Sequence, residues 1–296
     1  MSVSQILDTP AARRWLDGRI LKPAVRPRVP PDVPPSGYHP GTLGMAFEVA
    51  LLSDLRHKRE AAGLPVTGEL LSPFRGMETA AEWARRYGTE ESAAEIAGEY
   101  QVALRYMDNH RHRKDFMAFG SAAAVLGRFG NLYRARRLYQ LNPNHGIGLV
   151  FQQTPESALR ELQALRDIVP WEAFMGPERA IIHPEFGEGA RLCRGADGDL
   201  ILGDVLIDIK TTQRCSIGIG VIRQVVTYAL LCNRFGINGV EDPPTIRRVG
   251  IYLARVGRLD VFDLDECMAE GAAEEILDYL VPAHMRSATD ASSALH

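Results

Sequence analysis

The stretch "GADGDLILGDVLIDIKTTQ", residues 195–213, decides how this chain is read. Two short apolar, β-branched runs flank Gly203-Asp204, a pair that tolerates turn dihedrals, so the segment predicts a β-hairpin. A turn there sets the register: Leu202 opposite Val205, Ile201 opposite Leu206, Leu200 opposite Ile207 and Asp199 opposite Asp208. Period-two alternation then puts Asp199, Asp208 and Lys210 on one face, with Leu200, Leu202, Val205, Ile207 and Ile209 on the other. Directly opposed residues hold their Cβ atoms about 4.5–5.5 Å apart, and like charges so placed repel. Two facing carboxylates beside an ammonium group therefore need a compensating partner. A bound divalent cation supplies one, and hard oxygen ligands suit Mg2+ or Mn2+. Such an ion polarises a phosphate and acidifies water, while Lys210 would orient that water or stabilise charge at phosphorus. The plainer reading is a solvated edge hairpin with a cross-strand ion pair, against which the surrounding apolar run argues for a buried sheet. Asp197 either adds a third ligand or neutralises Lys210, which it faces in this register.

The rest of the composition is that of an ordinary globular protein. The chain has 296 residues, 46% of them hydrophobic and 24% charged, with a net charge of −3. That length suits one large domain or two small ones. The charge balance neither announces nucleic acid nor argues against it, because local patches outweigh the sum. Cys193, Cys215, Cys232 and Cys267 show no CxxC or CxxH spacing, which speaks against zinc or iron–sulfur sites and for reduced thiols. With no signal pattern and no membrane-length apolar run, the expected location is the cytoplasm. Of 34 basic residues, only Lys22, Lys58, Lys114 and Lys210 are lysines. Arginine is the general surface cation here, so a lysine inside an apolar strand is a poor candidate for filler.

Working outward, residues 4–16 predict a short helix, and "KPAVRPRVPPDVPPSGYHP" carries seven prolines from Pro23 to Pro40. That density forbids helix and ladder and implies an extended arm or linker, giving an N-terminal region of residues 1–40. At "GTLGMAFEVALLSDLRHKRE" a helix begins, with Thr42 as a plausible N-cap. Residues 69–167 read as several helices, forming an insertion over about 60–170. Strand patterns follow: "ERAIIHPEF", the hairpin, then 247–255 and 258–264, with helices over 219–234 and 265–280. Residues 178–282 thus make an α/β core with a mixed sheet flanked by helices, inside a domain of 41–282. Residues 283–296 read as a disordered tail.

Asp199, eight residues, then Asp208-Ile209-Lys210 resembles the motif of the PD-(D/E)XK nuclease superfamily. "GTLGMAFE" resembles the glycine-containing helix of its RecB-like branch, with Glu48 standing where that branch carries a histidine. Gln224-Val225-Val226-Thr227-Tyr228 resembles the branch's QxxxY signature, its two ends one turn apart on a helix face. The resemblance covers about residues 41–56 and 180–264 and implies a restriction-endonuclease-like core. It implies metal-dependent hydrolysis of DNA phosphodiesters, with Mg2+ or Mn2+ held by Asp199, Asp208, the Ile209 carbonyl and Glu48. Lys210 would position water, and Gln224 and Tyr228 would support the substrate. Read without the family, Glu48 is an exposed helix residue and Tyr228 a core side chain.

The segment 101–140 adds a candidate nucleic-acid surface. Arg105, Arg111, Arg113, Lys114, Arg128, Arg134, Arg136 and Arg137 stand against Asp108 and Asp115, interleaved with Tyr106, Phe116, Phe119, Phe129 and Tyr133. Basic residues with aromatics suit phosphate tracking and base stacking; the plain alternative is an arginine-rich solvated helix over a normal core. Arg111, Arg113, Lys114, Arg134, Arg136 and Arg137 are the expected contacts. DNA is the expected partner, with RNA open. No P-loop is present, so unwinding would need a partner ATPase or helicase. Defence against phage, repair and recombination are the settings such modules serve. The competing expectation is a catalytically inactive subunit that keeps the fold and binds nucleic acid or assembles with other proteins.

Overall fold

A computed structural model of the chain describes residues 3–110, 116–134, 147–148, 150–176, 178–193 and 196–281. Six strands form one mixed sheet whose spatial order follows the chain: β1 Val66–Gly68, β2 Ala180–Ile182, β3 Leu200–Leu202, β4 Val205–Lys210, β5 Arg248–Leu253 and β6 Arg258–Asp263. β1 pairs parallel to β2 and β4 parallel to β5; the other neighbours are antiparallel. The hairpin register expected from Gly203-Asp204 is present, with Leu202 on Val205, Ile201 on Leu206 and Leu200 on Ile207. Gly203 takes a positive φ of 61°, which its missing Cβ allows.

Helices cover both faces. On one side lie α3 (Pro40–Ala61), α4 (Leu71–Tyr87), α5 (Glu90–His110), α6 (Phe116–Arg134) and α7 (Glu156–Asp167). They bury the alternate strand residues Ala180, Ile182, Leu200, Leu202, Val205, Ile207 and Ile209. On the other lie α1 (Val3–Leu7), α2 (Pro10–Leu16), α8 (Gly187–Leu192), α9 (Ile219–Phe235) and α10 (Ala272–Leu280), over Ile181, Ile201, Leu206, Val249 and Ile251. The two-residue period thus feeds two apolar layers, one above and one below the sheet.

Several boundaries differ from the sequence reading for identifiable reasons. The first helix is two, broken before Pro10, whose missing N–H suits a helix start while the Thr9 hydroxyl accepts from Ala12 N–H at 3.2 Å. α3 is capped by His39, not Thr42: Pro40 fills the first helical position, and His39 Nδ1 accepts from Thr42 N–H at 3.3 Å. β1 lies within the helical insertion expected over about 60–170, and α8 lies between the expected strand 178–186 and the hairpin, where no element was expected. The last helix is a short 3-10 turn, Asp265–Cys267, followed by α10.

The proline-rich arm is docked rather than a free linker. Prolines keep it out of the ladder, but some of its amides find acceptors across the fold: Asp32 and Val33 N–H donate to Arg255 carbonyl at 2.9 and 3.2 Å, and Ser36 N–H to Glu161 Oε2 at 2.7 Å. Arg255 returns a bond to Val33 carbonyl at 2.9 Å and pairs with buried Glu161. The expected tail, 283–296, lies outside the described residues. No helix among the described residues is long and apolar enough to cross a membrane.

Candidate active site

The end of β4 carries the first half of the site. Lys210 Nζ donates to Asp208 Oδ1 at 3.0 Å and to Gln224 Oε1 on α9 at 3.2 Å. Gln224 Nε2 donates in turn to the Tyr228 hydroxyl at 3.3 Å, one turn further along α9. The Tyr228 ring also packs on Phe186 in the core, centroids 5.4 Å apart. Asp208 Oδ2 lies 2.8 Å from the ammonium as an ion pair, yet it is buried and receives no directed hydrogen bond.

Asp199 sits just before β3 and corrects one expectation. The β3–β4 ladder ends at Leu200 on Ile207, so Asp199 and Asp208 are not a regular cross-strand pair. The Asp199 backbone carbonyl continues towards β2, accepting from His183 N–H at 3.0 Å. Towards β4 its side chain takes over, Oδ2 accepting from Ile209 N–H at 2.7 Å. The amide of Ile209 is thus engaged by a carboxylate that the sequence grouped with it as a metal ligand.

The second half comes from the opposite layer. Gly44 lets α3 close on the strand end, because a Cβ there would lie 2.8 Å from Thr211 Oγ1. One turn on, Glu48 is buried, not exposed, and its Oε1 lies 2.9 Å from His183 Nε2 and 2.9 Å from Arg134 Nη2. Arg134, at the end of α6, also reaches Asp199 Oδ1 at 3.3 Å and Asp197 Oδ2 at 4.0 Å. Asp197 therefore sits beside Arg134 rather than Lys210. His183 was missed by sequence reasoning; the signal available was a lone titratable residue closing the apolar strand "AII". Leu71 N–H donates to its Nδ1 at 3.0 Å, so the ring proton belongs on Nε2, facing Glu48.

Four carboxylates, Glu48, Asp197, Asp199 and Asp208, thus share two cations, Arg134 and Lys210. Among the described residues, two negative charges stay uncompensated when all four ionise. Burial, then repulsion from Glu48 and Asp208, pushes the Asp199 carboxyl well above the usual range, against the pull of Arg134 and Lys210. Burial works against ionised Glu48 too, but Arg134 and His183 outweigh it and hold the carboxyl below its ordinary value. Burial likewise opposes charge on Lys210, and Asp208 and Asp199 overcome it, raising that pKa.

Among the described residues no three His, Cys, Asp or Glu side chains are preassembled as a metal cage. The donor set nevertheless fits a hard divalent ion. It is all oxygen, its four carboxylates outnumber the two cations beside them among the described residues, and the buried Asp208 Oδ2 there has the Lys210 ammonium at 2.8 Å but no directed hydrogen bond.

Of the expected nucleic-acid contacts, Arg134 is the one described, and it points into the carboxylates. Arg111, Arg113, Lys114, Arg136 and Arg137 lie outside the described residues. The aromatics interleaved with them are mostly core: Phe116, Phe119 and Phe129 are buried, as is Arg128, whose guanidinium donates to Val150 carbonyl at 3.0 Å. Tyr106 is exposed and Tyr133 half-buried. No family model, no curated protein and no solved structure matches this chain.

Proposed function

We propose that this chain is a divalent-metal-dependent phosphodiesterase that cleaves DNA, built on a restriction-endonuclease-like core of PD-(D/E)XK type. The order α3, β2–β3–β4, α9, β5 supports this, because it draws Glu48, Asp199, Asp208, Lys210, Gln224 and Tyr228 into one polar group. The observation that carries it is the gathering of four carboxylates, Glu48, Asp197, Asp199 and Asp208, around two cations among the described residues, Arg134 and the buried-stemmed Lys210.

Asp208 and Gln224 fix the Lys210 ammonium, whose side chain keeps 26% exposure. It can therefore direct a remaining proton at a water or at charge growing on a phosphate oxygen. Glu48, held ionised by Arg134 and His183, would complete the metal shell or accept a proton. Asp199, Asp208 and Glu48 are the side chains that would hold Mg2+ or Mn2+, which when bound supplies Lewis acidity and a more acidic water. Unwinding would fall to a partner ATPase, in a defence, repair or recombination setting. A second reading, a non-catalytic nucleic-acid-binding or assembly subunit, is favoured by Arg134 already sitting among the carboxylates. It expects DNA retention without cleavage.

The test is cleavage of plasmid, single-stranded DNA and RNA with Mg2+ or Mn2+. The wild type should cut DNA, and Asp208→Asn and Lys210→Met should each slow it by roughly two to three orders of magnitude, with circular dichroism unchanged. Cleavage that survives both substitutions overturns the assignment; retention without cutting favours the second reading.

A further inference from the structure

Asp199 has two oxygens, and the fold has already spent one. Oδ2 already accepts from Ile209 N–H at 2.7 Å inside the sheet, which leaves Oδ1 as the oxygen facing away from the ladder. That oxygen is the one Arg134 Nη2 holds at 3.3 Å, while the same nitrogen holds Glu48 Oε1 at 2.9 Å. A cation at Asp199 Oδ1 therefore meets a guanidinium already there, and two cations crowded onto one buried carboxylate repel.

We infer that Arg134 is an internal counter-ion that competes with the divalent cation for Asp199 and so sets how tightly the site takes metal. This rests on the hydrolase reading above and adds to it a regulation of the same site. The arrangement explains why the carboxylates lie together without a ready cage: the guanidinium occupies the cation's share of Asp199 and Glu48. It is placed to leave, because its side chain is 38% exposed and ends α6, whereas Glu48 and Asp199 are buried. Metal affinity is then scaled down by the fraction of molecules in which Arg134 has let go.

Isothermal titration of the full chain with MnCl2 and MgCl2 tests this, comparing wild type with Arg134→Met, and with Arg134→Gln should the methionine variant fail to fold. The variant should bind either ion at least tenfold more tightly, and adding Asp208→Asn should abolish the gain. The ion-free variant should melt lower than wild type, and saturating Mn2+ should raise its melting temperature more than it raises the wild type's. Equal or weaker binding by the variant, with metal still bound by wild type, overturns the competition and leaves the hydrolase reading standing. No binding to either protein overturns both.

Discussion

His183 shows how much one side chain can be asked to do. Its φ of 46° lies in the left-handed region, its Nδ1 accepts from Leu71 N–H, and its Nε2–H donates to Glu48. Side chains differ in tolerance of that backbone: asparagine enters the left-handed region readily, and β-branched residues do not. Loss of the imidazole leaves a buried carboxylate and an amide short of partners, at about 1–3 kcal/mol. His183→Asn should therefore lower stability by about that amount in urea denaturation, and His183→Val should lower it further because backbone strain is added. Equal losses would remove the strain argument. At this scale the sequence made the hairpin residues legible because their partners are local and the turn pins them. His183, and the place of Arg134 beside Glu48 rather than on a nucleic-acid surface, were not legible, since each meets Glu48 from more than 80 positions away and no local period encodes that.

Elements deliver these side chains, and glycines set how closely they approach. A Cβ on Gly127 of α6 would lie 2.5 Å from Ala46 backbone nitrogen on α3, and one on Gly76 of α4 would lie 1.8 Å from Phe129 carbonyl oxygen on α6. Backbone cannot step aside as a side chain can, so α6 rests on α3 through bare glycine. That contact sets the reach from Arg134 to Glu48, two turns on. Gly127→Ala should cost about 1–3 kcal/mol by overpacking. Gly98→Ala on α5, where nothing lies within 4 Å, should stabilise by about 0.4–1 kcal/mol through the unfolded chain. Thermal melts of the two variants check both signs; a neutral Gly127→Ala would contradict the close-packing account. The helical character of 69–167 was legible from apolar spacing, whereas the ends of its individual helices were not, and the cap expected at Thr42 belongs to His39. β1 was not, because its three residues Val-Thr-Gly carry no pattern and are strand only through pairing with β2.

Across the whole molecule, the sheet divides two apolar layers and the polar group gathers where both reach the same strand ends. Glu48 and Arg134 arrive from the layer of α3 and α6, Gln224 and Tyr228 from α9, and Asp199, Asp208 and Lys210 from the sheet between. Arg255 fastens the neighbouring strand end, donating to Thr211 carbonyl at 2.7 Å while its guanidinium holds the arm and Glu161. The α/β class and mixed sheet followed from helix and strand patterns along the chain. The docking of the arm did not, because prolines announce extension but not what it lies against. A crystal grown with Mn2+ and measured at the manganese edge tests the central claim most directly. The account expects one anomalous peak against Asp199 Oδ1 and Asp208, with the Arg134 guanidinium withdrawn from Asp199. Crystals at saturating Mn2+ with no peak there, and Arg134 still bridging Glu48 and Asp199, would contradict it.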